Sequence, residues 1–442
     1  MNDDLCPSLD QWILTSAGEY TCQKSSDGNM RWTRNNSPYS PKVTPYPTVP
    51  PLIENSYFSP KKSSAPVENC KIKENSDQGT KMGDGLSSGF PFMPRFSTYP
   101  KNMKMALIPI DFADLPGEAN YRARIQKELL MMSDWYKDVS GGKFSIEWVL
   151  NDSWTRLPGQ SSEYAVPFSG AYPQTTDFWK KVIPVIDSKV DLTGIQVVNF
   201  ILPRDQRILP EGVQSFPYLS EMKTYNSSRT NLISFALPGY YFDNAVSKTY
   251  WSYFAHEFGH VIGLAHVGSS HGASQTMNGF DLMGNQDGPY RELSGWMRFI
   301  IGWLDDNQVF CQELSQLTSE EISLVPLSSD KTGFKLVVIP TSEESAIIID
   351  SRRPTKFSCD IPKLPSGVLV YTYDAKLGNQ SYFLTAKYPQ DRQPQFKCAG
   401  QHNMDYYPDA LLHTGDSVIV NNVKISVTSS GTFDQIKISK NN

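Results

Sequence analysis

The stretch His256-Glu257-Phe258-Gly259-His260-Val261-Ile262-Gly263-Leu264-Ala265-His266 sets three imidazoles and one carboxylate at H-E-x-x-H-x-x-G-x-x-H spacing. The chain has six histidines in 442 residues, and His256, His260, His266 and His271 all fall in or just after this stretch. On a helix, residues four apart share one face and stand about 6 Å apart along the axis, so His256 and His260 can address one ion. Glu257 is offset from both and can reach a water without taking a coordination position. Gly263 predicts the helix stop, because glycine enters the left-handed region without steric cost. The chain then turns, and His266 returns as a third ligand. Three protein ligands leave one tetrahedral position open, which marks a catalytic rather than a structural zinc.

The flanking pattern predicts a helix. Trp251, Phe254, Ala255, Phe258, Val261 and Ile262 recur at spacings of three and four, an apolar stripe opposite the His/Glu face. Ser247 or Thr249 suits the N-cap. Gly259 inside the helix costs about 1 kcal/mol relative to alanine, so its presence predicts close packing there.

The ion sets the expected chemistry. Zinc lowers the pKa of a bound water from about 15.7 to about 7 and polarises a carbonyl oxygen. Glu257 is then expected to take the water proton as general base and return it to a departing amine as general acid. A tyrosine or histidine often helps to hold the oxyanion of such reactions. Tyr290 is the candidate, weighed against an ordinary loop tyrosine. His271 reads as a surface residue.

A second element sharpens the reading. Asn278-Gly279-Phe280-Asp281-Leu282-Met283-Gly284-Asn285 follows, with Met283 seventeen residues after His266. The two together resemble the metzincin metallopeptidases, which place a methionine-containing turn beneath the zinc. Leu293-Ser294-Gly295-Trp296-Met297-Arg298-Phe299-Ile300-Ile301-Gly302-Trp303-Leu304 resembles the helix ending in "LGWL" of immune inhibitor A-like and gametolysin-like peptidases. Val139-Ser140-Gly141-Gly142-Lys143-Phe144 resembles their "S-x-G-K" strand entry. Ala346 to Pro354 and Leu364 to Tyr371 resemble paired strands of the domain after their catalytic core. His266 stands where immune inhibitor A-like members often carry Asp, which favours the gametolysin-like side. The resemblance spans roughly residues 100–440. It implies a zinc endopeptidase with an α+β fold: a metzincin-type catalytic domain of mixed sheet and helices, then an antiparallel β-sandwich. It also implies an edge strand that pairs with a protein or peptide substrate.

Composition bounds the alternatives. A net charge of −5 with no basic run argues against nucleic acid as a partner. Apolar stretches such as Met297 to Leu304 are too short to span a bilayer. The acidic start Met1-Asn2-Asp3-Asp4 does not read as a signal peptide. Six cysteines nevertheless suit disulfides and an oxidising compartment, so the expectation leans toward secretion. Cys6 and Cys22 can close one small loop; the pairing of Cys70, Cys311, Cys359 and Cys398 is not deducible from spacing. Acidic residues such as Asp111 and Asp287 form no calcium loop of ligand-spaced carboxylates, so Ca2+ stays open without support.

Four regions are expected. Residues 1–35 read as a small cysteine-containing hairpin module. Residues 36–98, rich in Pro and Ser, read as an extended linker or pro-segment. Residues 99–305 read as the catalytic domain, with strands near 105–112, 144–149, 196–202 and 231–237 and helices over 119–138 and 174–188. Residues 306–442 switch to short alternating runs such as Phe334 to Ile339, Ser345 to Asp350, Val368 to Tyr373, Ser381 to Ala386, Ser417 to Val420, Val423 to Val427 and Gln435 to Ile438. The resemblance also implies a zymogen in which a pro-segment cysteine or aspartate blocks the zinc, a role open by position to Cys70 or Asp84 and weighed against an ordinary linker role. Two other function classes stay in play: a zinc hydrolase acting on a non-protein amide, and a non-catalytic binding or structural protein with a vestigial site.

Overall fold

Met103, Met105, Leu107 and Ile110 have no exposed surface, and Ala106 and Ile108 almost none. Burial on both faces is what a central strand of a parallel sheet requires. Their strand, Asn102–Asp111, runs parallel to Val197–Leu202 on one side (Leu107 opposite Asn199) and to Ser145–Asn151 on the other (Met105 opposite Trp148). The computed structural model describes residues 11–15, 18–34, 62–75, 86–92, 101–119, 121–151, 153–169, 172–173, 176–206, 208, 233–238, 250–267, 277, 279–286, 288–359, 364–378, 382–389, 395–396 and 407–441. The architecture is mixed α+β and rich in sheet.

The chain divides into two compact units. One comprises Met1–Val43, Pro100–Lys137 and Phe144–Trp251; the other comprises Thr44–Tyr99, Asp138–Lys143 and Ser252–Asn442.

The first unit holds an eight-stranded sheet. Its order runs Ile233–Pro238, Val197–Leu202, Asn102–Asp111, Ser145–Asn151, Gln11–Thr15, Gly18–Lys24 and Met30–Arg34, with Thr155–Arg156 pairing to Asn102–Asp111. The helix Thr176–Lys189 buries Phe178, Trp179, Val182, Ile183 and Ile186 in one core with Ile108, Ile110, Val198 and Phe200 of the sheet. The hairpin expected near the N-terminus exists as a three-stranded antiparallel meander. It is not separate from the sheet. Gln11–Thr15 pairs antiparallel with Ser145–Asn151, which covers a strand edge whose N–H and C=O groups would otherwise be open. Cys22 is disulfide-bonded, whereas Cys6, the other end of the expected loop, lies outside the described residues.

The second unit is built on two further sheets. The six-stranded one runs Val309–Cys311, Leu336–Ser342, Ser345–Arg352, Gly367–Asp374 and Leu384–Lys387, with Leu411–Leu412 on Gly367–Asp374. The four-stranded one runs Ser319–Leu324, Asp434–Lys440, Val423–Ser430 and Ser417–Val420. Val337, Ile347, Ile349 and Val370 of the first share one hydrophobic core with Ile322, Ile425, Val427 and Ile436 of the second. One pairing departs from the antiparallel expectation: Val309–Cys311 runs parallel to Leu336–Ser342.

The segment expected as a linker enters this unit as structure. Cys70 forms a disulfide with Cys311 across 241 residues of sequence. Ala65 N–H donates to Cys311 O, and the Ser63 hydroxyl to Val309 O. Glu74 N–H donates to Phe90 O, and Phe90 N–H to Ile72 O. Cys70 and Ile72 are buried, so the described residues 62–75 and 86–92 are part of a packed body, not an extended tether. The boundary expected at 305 is also absent from the packing. Gly295 N–H donates to Asp350 Oδ2 and Trp296 N–H to Tyr371 Oη, both on the six-stranded sheet, so residues 295–296 are bonded to the unit that holds this sheet. Among the described residues no helix is long and apolar enough to cross a membrane.

Candidate metal centre

The helix Tyr250–Ile262 carries His256 and His260, while Phe254, Ala255, Phe258, Val261 and Ile262 of its apolar stripe have no exposed surface. Its proposed caps, Ser247 and Thr249, lie outside the described residues. Its far end closes as the glycine predicts. Gly263 takes φ 106°, its N–H donates to His260 O at 3.1 Å, and Leu264 N–H donates to Gly259 O at 2.9 Å. That pair of bonds is the Schellman stop, and it reverses the chain.

The reversal brings the third histidine back. His260 Nε2 stands 3.2 Å from His256 Nε2 and 3.0 Å from His266 Nε2. His256 and His260 are buried, and His266 is half-buried.

The tautomers follow from the other ring nitrogens. His256 Nδ1 lies 2.7 Å from Leu282 O, and His260 Nδ1 lies 2.8 Å from Leu264 O. A carbonyl oxygen can only accept, so both Nδ1 atoms carry the proton and both Nε2 atoms present a lone pair. Two lone pairs then face each other across 3.2 Å with no proton to share. That repels unless a cation lies between them. Tetrahedral zinc with Zn–N bonds of about 2.0–2.1 Å would hold its nitrogens about 3.3–3.4 Å apart, close to the spacing found. Burial, opposed by the Leu282 hydrogen bond, pulls the His256 pKa down to about 4, which keeps the imidazole neutral and fit for a metal. The His256/His260/His266 group therefore satisfies the geometry and donor chemistry of a metal site.

Glu257 follows His256 on the same helix and is partly exposed, unlike the apolar residues around it. The turn carrying Met283 supplies the supports. Leu282 O orients His256, and Met283 O accepts from Val267 N–H at 3.1 Å, next to His266. Asp281 holds that turn: Oδ1 accepts from Met283 N–H and Oδ2 from Ser294 N–H, both at 2.8 Å. Arg352 donates to Phe280 O at 2.8 Å from the side of the six-stranded sheet.

The remaining candidates are placed as follows. Tyr290 is buried, stacked on Phe280 with centroids 4.9 Å apart, and its hydroxyl donates to Pro365 O. Its single proton is committed there, and burial raises its pKa well above the usual phenol value. Cys70 is in the Cys311 disulfide, so the expected role of a free thiol blocking the zinc is excluded. Asp111 accepts from Arg156 with both oxygens and from Gly117 N–H, a structural role in place of a calcium ligand. His271, Asp84, Asp287 and Cys398 lie outside the described residues.

Sequence reasoning assigned no role to Asp281, Leu282 O or Leu264 O. The backbone carbonyls left no signal in the sequence. Asp281 did leave one: an Asp two residues before Met283 is the Asx-turn pattern, in which the side chain caps a backbone N–H two positions on. Comparison with family models and with curated proteins returned no match for this chain.

Proposed function

We propose that this chain is a secreted zinc endopeptidase of the metzincin type, with His256, His260 and His266 as ligands and Glu257 as the catalytic acid–base. The observation that carries this reading is the convergence of three Nε2 atoms, those of His256 and His266 both within 3.2 Å of that of His260, with two Nδ1 protons fixed on backbone carbonyls. A bound zinc supplies Lewis acidity, lowering the pKa of a water to about 7 and polarising a carbonyl. Glu257 removes the proton from the attacking water as its oxygen bonds to the scissile carbonyl carbon. The same carboxyl then gives that proton to the amine nitrogen as the C–N bond breaks. His256 stays unprotonated because burial disfavours its cation. On this reading the two C-terminal sheets form the β-sandwich that follows the catalytic core in such enzymes. Disulfide bonds support the extracellular setting.

The test is metal analysis with proteolysis of a denatured protein substrate, comparing wild type with Glu257→Ala. Zinc should stay bound at one ion per chain while turnover falls by at least 100-fold, on the order of general-base contributions. Equal cleavage by the variant would remove Glu257 from its role. Hydrolysis of an amidated sugar but not of peptides would move the reading to a non-protein amide.

A further inference from the structure

The backbone N–H of Ser87 donates to Gly263 O at 2.8 Å, and Ser87 pairs with Leu264 as an isolated parallel bridge. This lies at the metal centre itself. Gly263 is the helix stop, and Leu264 O is the acceptor that fixes the His260 ring. Two residues beyond Leu264 the chain supplies His266.

Ser87 is held from both directions. Ser88 O accepts from Trp296 Nε1 at 2.9 Å, and Ser88 N–H donates to Glu74 Oε2. Phe90 packs edge-on to Trp296 and Phe299, with centroids 5.8 and 4.9 Å away. Gly89 passes so close to Tyr373 that a β-carbon there would stand 2.2 Å from its hydroxyl oxygen, and any larger residue would have to displace that ring. Phe90 bonds through its backbone to Ile72 and Glu74, and just before Ile72 in the chain Cys70 is joined to Cys311.

We propose that Ser87–Phe90 is a positioning segment for the metal centre, tethered by the Cys70–Cys311 disulfide and acting through Leu264 on His260 and His266. The proposal rests on the zinc reading above. It gives residues 86–90 a role opposite to that of an inhibitory pro-segment: the site is complete only with them in place. Metal binding and ordering of the segment are then linked, and the linkage is reciprocal. Without the Cys70–Cys311 bond the segment is held by noncovalent contacts alone, so the intact disulfide favours a site ready for metal.

Hydrogen exchange of the intact chain, with and without one equivalent of zinc, tests the linkage without any mutation. Zinc should slow exchange at residues 86–90 as well as at 256–266. Slowing confined to 256–266 would overturn the proposal, and a wild type that binds no zinc would instead overturn the metal reading.

Two variants give a second readout: zinc release into excess chelator, with the visible spectrum of the cobalt(II) form. Cys70→Ala with Cys311→Ala, and Ser87→Pro, which lacks the N–H, should each release zinc about 10–100-fold faster, as for other groups that orient ligands. Ser87→Ala keeps the backbone bond and should release at nearly the wild-type rate. Wild-type release and an unchanged cobalt spectrum in both folded variants would sink the idea.

Discussion

The sulfur of Met283 lies 2.5 Å from the point where a β-carbon on Gly259 would stand, and its methyl carbon 3.0 Å from it. The helix that carries His256 and His260 therefore touches the Met283 turn through a position that has no side chain. Met283 has no exposed surface and little room to withdraw. Gly259→Ala gains about 1 kcal/mol of helix propensity but overpacks this contact by about 1–3 kcal/mol. The expected net loss is about 0–2 kcal/mol in denaturant unfolding. Met283→Ala alone should cost about 2–5 kcal/mol through the cavity it leaves. In the double variant the alanine at 259 has space, so the two losses should sum to more than the measured total. Simple additivity would show that the two side-chain positions do not meet.

On the zinc reading, Asp281 bears on the metal through one intermediate step. Its two oxygens fix Met283 N–H and Ser294 N–H, and between them lies the Leu282 carbonyl that orients His256. Asp281→Ala should weaken zinc binding about 10–100-fold, the range for partners that orient a ligand. Competition with a chelator of known affinity reads the change. Asp281→Asn keeps one acceptor oxygen and should fall between the two. Unaltered zinc affinity in a folded Asp281→Ala would assign this residue to fold stability alone.

The histidine cluster of the candidate metal site was legible because its spacing is local. Four-residue spacing on one helix and a glycine stop bring His256, His260 and His266 together with little help from distant chain. Strands of the second unit were legible for the same reason: Ser417–Val420 and Ser345–Arg352 alternate or run apolar over a few residues. What was missed depends on partners far away in sequence. Gln11–Thr15 reads as a free hairpin until its pairing with Ser145–Asn151 is seen. Residues 62–75 are mostly polar with Pro66 among them, and nothing in their own pattern announces Cys311. Their order comes from a disulfide and from hydrogen bonds to backbone, neither of which leaves a periodic trace.

Lys335 gives a prediction in pH. It is buried, and its ammonium donates to the carbonyls of Leu327 and Ser329. Burial first, and the Arg298 charge second, pull its pKa down from 10.5 to about 8. Between those values the unfolded chain binds the proton and the folded chain does not, so this group's contribution to stability rises with pH. It is complete above pH 10.5 and lost as pH falls through 8. Unfolding free energy of wild type minus that of Lys335→Met should climb by about 3 kcal/mol at most from pH 8 to 10.5. A flat difference would mean that the ammonium is solvated in the folded state.

Asp350 and Arg352 form a fully buried pair, with Arg352 Nε on Oδ1 at 2.5 Å and Nη2 on Oδ2 at 3.0 Å. Burial opposes the guanidinium charge, yet the Asp350 carboxylate holds the Arg352 pKa above its usual value. Asp350 Oδ2 also accepts from Tyr371 and from Gly295 N–H, and Glu292 lies 3.4 Å from Arg352. Arg352→Met leaves the Asp350 carboxylate buried without its cation, while Glu292 keeps Arg298 at 3.7 Å, and should cost about 3–5 kcal/mol. Adding Asp350→Asn removes the stranded charge while keeping an acceptor for Tyr371 and Gly295. The double variant should therefore be more stable than Arg352→Met alone, a reversal that thermal unfolding of the two proteins can read directly. Arg352→Met also takes the donor from Phe280 O, so on the zinc reading the ion should be released faster than from wild type even where the fold survives. If the double variant is the less stable of the two, the pair's charge is solvated by groups other than each other.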